Sequence, residues 1–120
     1  MDGRAMKEEL VAVVPAGLGL DVADGEQVAV VFEDDRLVLR FIDWHAQHVE
    51  QQFADVLAFR WSSKASVNTP RGDAAYEVLN SCWLAEELAL AGATLSEHTH
   101  YVLCFNAAKV LEILSRRVAG

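Results

Sequence analysis

The sequence predicts an α+β fold: a single domain with one meandering antiparallel sheet, an N-terminal helix and a second helix inserted late, both packed on one face. Three patterns predict it. Apolar and polar residues alternate around Phe59-Arg60-Trp61 and again along His100–Asn106. Between these stretches Leu84, Leu88 and Ala91 keep helical spacing. Near the start, Met6, Leu10 and Val13 or Val14 do the same.

The first helix is expected over residues 3–14. Glu8 and Glu9 lie toward its beginning, where the helix dipole favours acids, and Pro15 ends it. Gly17 and Gly19 give a turn, and Asp24-Gly25 gives another. Val28–Phe32, the polar turn Glu33-Asp34-Asp35-Arg36 and Leu37–Trp44 read as an antiparallel hairpin. Leu37, Leu39 and Phe41 share one face of it and Arg40 lies on the other. Residues 46–56 fit a helix through Val49, Phe53 and Val56. They also fit a long strand from about residue 51 to 62, which is the preferred reading.

Ser62–Asp73 is a loop by composition. Ala75–Leu79 is a short strand, and Asn80 or Ser81 caps the late helix. Leu84, Leu88 and Ala91 point inward, Glu86 and Glu87 outward, and Gly92 closes the helix. The helix leucines are expected to press on the sheet face that carries Phe41 and Phe59. Thr99–Phe105 and Val110–Val118 are the last strands, joined by a turn at 106–109, with Leu111 and Ile113 on one face.

A chain of 120 residues, 52% hydrophobic, is long enough for one core and too apolar for disorder. No run approaches the roughly 18 apolar residues of a membrane helix. The first nine residues lack the positive region of a secretory signal, so a cytoplasmic location is expected and no membrane partner. Net charge is −8, and all of it lies in residues 1–55, with 12 acids against 4 bases. Such a chain repels nucleic acid. It attracts a basic protein partner, although solubility alone is the plainer account.

Cys82 and Cys104 sit among apolar neighbours and are expected to be buried, reduced thiols. The histidines form two local pairs, His45 with His48 and His98 with His100. With Asp43, Glu50 or Glu97 they would hold a metal only if the pairs converged. Nothing in their spacing requires that, so no metal or other cofactor is expected. Ser81-Cys82 lies at a strand-to-helix junction, where a thiol can be activated and His100 can approach. No Gly-x-Ser-x-Gly elbow is present, so Cys82 is read as a core thiol and no catalytic residue is assigned. Gly17-Leu18-Gly19 lacks the third glycine of a phosphate-binding loop. Arg40 and Arg60 are expected to pair across the sheet with Glu77 or Glu112. Trp44, Trp61 and Trp83 remain, and exposed tryptophans often anchor interfaces.

Three phrases carry a resemblance: Phe59-Arg60-Trp61, Tyr76-Glu77-Val78-Leu79-Asn80-Ser81-Cys82-Trp83-Leu84 and His100-Tyr101-Val102-Leu103-Cys104-Phe105-Asn106. Their rhythm, over residues 50–115, resembles small uncharacterised bacterial single-domain proteins, some of them immunity proteins of polymorphic toxin systems. The resemblance implies an α+β domain and toxin neutralisation, with no catalytic residues. The expectation for function is a non-enzymatic protein-binding module, an immunity-type inhibitor of a basic toxin. The expected partner-binding residues are Glu33, Asp34, Asp35, Asp43, Trp44 and Trp61. A small metal-dependent or thiol enzyme is the alternative. A structural protein that pairs through exposed sheet edges, as a homodimer, is the third reading.

Overall fold

The computed structural model describes residues 12–92, 97–106 and 109–118. Among them lie eight strands and one helix. Strands β1 (Ala12–Pro15), β5 (Ala58–Ser62), β6 (Ala75–Leu79), β7 (His98–Asn106) and β8 (Lys109–Arg116) form a five-stranded sheet in the order β1-β6-β7-β8-β5. Strands β2 (Glu26–Glu33), β3 (Arg36–Ile42) and β4 (His48–Phe53) form a three-stranded sheet. All pairings are antiparallel. Helix α1 (Cys82–Leu90) connects β6 to β7.

Local chemistry explains the predicted hairpin. Asp34 and Asp35 have φ of 50° and 62°, a pair of left-handed residues that matches the twist of the flanking strands. Aspartate tolerates that conformation better than most side chains. The register then sends Leu37, Leu39 and Phe41 to one face, where all three are buried. From the other sheet, Tyr101, Leu103, Phe105, Leu111 and Ile113 meet them in one core. Ring pairs Phe41–Phe105 at 5.3 Å, Phe53–Tyr101 at 5.6 Å and Phe32–Phe59 at 5.3 Å bridge the two layers. Gly25 comes against this core directly: a Cβ there would lie 2.9 Å from the Phe105 ring.

The α+β prediction is therefore wrong. The fold is mostly β, with two antiparallel sheets and one short helix among the described residues. Residues 12–15 of the predicted N-terminal region form β1, paired with Leu79 back to Tyr76 of β6; the rest of that predicted helix lies outside the described residues. Val13 and Val14 are β-branched and suit a strand. Their helical spacing from Met6 and Leu10 is a coincidence of short apolar runs.

Neither reading of residues 46–62 holds. The chain breaks after Phe53 and passes from one sheet to the other, with Asp55 at φ 49°. A continuous strand would place Asp55 on the same face as the buried Phe53. Asp55 turns outward instead and pairs with Arg116 at 3.0 Å.

The late helix is real, with Ser81 as its cap and Gly92, at φ 69°, just past its end. Its packing differs from the prediction. No residue of α1 is buried; Leu84 and Leu88 are half-buried and Leu90 is exposed. The face carrying Phe59 is already covered by the second sheet. The helix start sits instead at the opposite face, with Trp83 against His100.

Phe53→Ala should therefore cost about 3–5 kcal/mol in denaturant unfolding. Leu90→Ala, at a residue 81% exposed, should cost less than about 0.5 kcal/mol. Similar losses in the two variants would contradict this assignment of the core.

Candidate functional site

Strands β7 and β8 are buried on both faces. Period-two alternation puts Tyr101, Leu103 and Phe105 into the intersheet core and sends His100, Val102 and Cys104 to the other side. There Val78, Val102, Cys104 and Val110 form a second, smaller apolar cluster. The loop after β5 lies over it through Ala65 and Val67. Ser66, between those two, turns toward the sheet.

Under this cover lies a buried polar network centred on Glu112. Val102 opposes Glu112 and Leu114 opposes His100, so His100 and Glu112 are diagonal neighbours on one face. His100 Nε2 is 2.7 Å from Glu112 Oε1. The Ser66 hydroxyl donates to the same oxygen at 2.6 Å, and the Ser66 amide donates to Oε2 at 3.1 Å. Arg60 lies 3.5 Å from Oε1, and its guanidinium sits 3.9 Å over the Trp83 ring. On the far side of His100, Nδ1 is 2.7 Å from Ser81 Oγ. Ser81 Oγ also accepts the Leu84 amide at 3.1 Å, which is its capping bond.

Glu112 is fully buried, and burial alone would push its carboxyl up. His100, the Ser66 hydroxyl and amide, and Arg60 outweigh that and hold it at about 2. Among the two alternatives for Arg60, then, the partner is Glu112, while Glu77 pairs with Arg117 and Arg40 pairs with Glu50 at 2.7 Å.

The predicted partner-binding residues do not form one patch. Glu33, Asp34 and Asp35 lie at one end of the three-stranded sheet. Asp43 and Trp44 lie at the other, separated by the seven residues of β3, or roughly 20 Å. Asp43 accepts the His45 and Gln47 amides at 2.9 Å each, so its role is to form a turn. Trp44 donates its indole N–H to Asp21 at 2.6 Å, which lowers the Asp21 carboxyl's pKa. It lines an open hollow of about 420 Å³ with Asp21, Arg71 and Asp73. Trp61 lies on the edge strand β5.

His45 stacks on Trp44, His98 contacts the Asp55 carbonyl, and His100 belongs to the network; no metal-holding cluster occurs among the described residues. Cys104 is buried, and burial raises its thiol pKa. Cys82 is exposed, contrary to expectation, because the first residue of α1 points away from the sheet. Sequence reasoning brought His100 toward Ser81 but missed Ser66 and the centre of the network. The available signal was Glu112 itself, one acid inside the apolar run Val110–Leu114.

No helix among the described residues is long and apolar enough to cross a membrane. Comparisons with protein-family models, curated proteins and solved structures found no match to this chain.

Glu112 has a depressed folded-state pKa, so its contribution to stability is full above its ordinary value of 4.5 and is lost as pH falls toward 2. In acid unfolding, Glu112→Gln should lack the part of the pH slope that the native chain shows in that window; identical slopes would refute it. In thiol labelling of the native protein, Cys82 should react quickly and Cys104 only on unfolding. Equal rates would refute that.

Proposed function

We propose that this chain is a protein-binding module that takes an extended, basic segment of its partner along the open edge of β2. The observation that supports this reading is an unguarded apolar edge, Ala29-Val30-Val31-Phe32, leading into the acidic turn Glu33-Asp34-Asp35.

The two sheets present four edge strands, β1, β5, β2 and β4. Free edges are usually guarded by short length, proline, charge or a bulge. β1 is four residues long and ends in Pro15. β4 offers Glu50, Gln51 and Gln52, and β5 carries Arg60. β2 has a register shift between Glu26 and Ala29 and no Lys, Arg or Pro beyond it. No described strand pairs with its outer side.

Val31 is 51% exposed and Phe32 46%. Phe32 stacks on Phe59 of β5, so the two edge strands lie on one flank, and Trp61 of β5 is 43% exposed there. A strand added to β2 would gain main-chain hydrogen bonds and cover Phe32 and Trp61. Its basic side chains would meet Glu33, Asp34 and Asp35. A net charge of −8 favours such a partner over a second copy of this chain. A basic toxin held by an immunity-type inhibitor is a partner of this kind, and it is the one suggested by the sequence rhythm of residues 50–115.

The test uses a short synthetic peptide alternating Val and Lys, with a Val and Glu peptide as control. The Lys peptide should bind, perturb the amide resonances of Ala29–Glu33 and weaken as salt rises, because surface charges are screened beyond about 8–10 Å. Glu33→Lys combined with Asp34→Lys should weaken it about tenfold. Binding of neither peptide, or of both equally, would overturn the proposal. So would a homodimer in sedimentation that Val31→Lys dissociates.

A further inference from the structure

The Ser81–His100–Glu112 chain carries an inference independent of the β2 edge. Its hydrogen-bond polarity follows from its partners. Glu112 is a buried carboxylate, which can only accept, so His100 Nε2 carries the proton. In the neutral imidazole Nδ1 is then the acceptor. Ser81 Oγ accepts the Leu84 amide and is free to donate its own hydrogen to that Nδ1. The order is hydroxyl to imidazole to carboxylate, the order that activates a serine in acyl transfer, here with the two ring nitrogens in exchanged places. Trp83, 5.3 Å away edge to face, and the sheet hold the imidazole in that orientation.

Ser81 is not sealed in. It is half-buried and lines an open cleft of about 310 Å³, whose apolar part is Val78, Leu84 and Leu88 and whose polar part is Glu77, His98 and Arg117. The amides of Cys82 and Trp83 open the helix and have no acceptor within it. They are the donors nearest in sequence to Ser81 for charge on a carbonyl oxygen.

We propose that Ser81 is an activated nucleophile, with His100 as its base and Glu112 positioning His100, and that the cleft takes carboxylic esters with a short apolar acyl chain. In the step, Ser81 Oγ forms a bond to the carbonyl carbon and its proton passes to His100 Nδ1. The bond from that carbon to the alcohol oxygen breaks, and the alcohol leaves with the proton from Nδ1. Water then repeats the sequence on the acyl-serine: its proton goes to Nδ1, the carbon–Oγ bond breaks, and Oγ takes the proton back. The products are the carboxylic acid and free Ser81. Glu112 stays ionised and stabilises the transient imidazolium.

The probe is an alkyl fluorophosphonate. Ser81 Oγ would bond to phosphorus, the P–F bond would break, and the serine proton would leave with fluoride. The exposed thiol beside Ser81 is removed by working in a Cys82→Ala background. The native full chain should carry the label on Ser81 by peptide mapping, and the urea-unfolded chain should not. His100→Gln should slow labelling, and hydrolysis of p-nitrophenyl butyrate, by about 10²–10⁴-fold, the usual share of a general base. Ser81→Asn keeps a capping oxygen without the nucleophile and should abolish both signals in a folded protein. If His100→Gln fails to fold, the native chain against Ser81→Asn and against the unfolded chain decides alone. No label on native Ser81, labelling spread equally over Ser63 and Ser66, or a rate unchanged in folded His100→Gln would overturn the proposal.

Discussion

The ion on which this molecule is organised is the Glu112 carboxylate. A carboxylate out of water is costly unless its oxygens are occupied. Here strand β7 supplies His100, β5 supplies Arg60, and the 63–74 loop supplies the hydroxyl and amide of Ser66. Each partner comes from a different segment, so one side chain ties together the two strands flanking β8 and fixes the loop against the sheet. The loop in particular is polar and contributes little apolar area beyond Ala65 and Val67. Its position is set by Ser66 on Glu112, by Arg71 on Asp73 at 2.9 Å, and by the Tyr76 hydroxyl accepting the Arg71 amide.

The same ion bears on how α1 packs. The five-stranded sheet has two faces to cover. The three-stranded sheet covers one with large rings and leucines. The other holds a smaller apolar cluster and the polar network, and a loop with the first turn of α1 closes it. A helix that buried a full apolar stripe there would compete with the loop for the same face. Instead α1 is attached at its start, through the Ser81 cap and the Trp83 ring, and its far end is solvated up to Leu90.

Part of the strand pattern was legible in the sequence, where it depends on neighbours. The hairpin at Glu33–Arg36, the strands Ala75–Leu79 and His98–Asn106, the Ser81 cap and the Gly92 stop all follow from local turn and capping chemistry. The layer arrangement was not legible, because alternation says which residues share a face and not which sheet covers it. Phe53, Asp55 and Leu57 alternate as one strand would, yet the chain changes sheets between them. The network was half legible. His100 near Ser81 followed from a strand leading back past a helix start, and for Arg60 a cross-strand pair with Glu77 or Glu112 was expected, of which Glu112 is the one formed. That both meet on one carboxylate needs the β5-β8-β7 order, which no local pattern encodes.

A helix held at one end gives the cleft beside it unusual independence. Leu84 and Leu88 form its helix wall and neither is buried, whereas the opposite wall belongs to β6 and β7. Segments with few buried apolar contacts open at lower free energy than the core does. Displacement of the α1 far end would therefore widen the cleft without breaking His100–Glu112, because those two groups sit on adjacent strands of the most buried part of the sheet. Ser81 joins the two: its backbone leads into α1, while its side chain is tied to the sheet through His100. The fold thus keeps the hydroxyl oriented by the sheet and leaves the space in front of it to the helix.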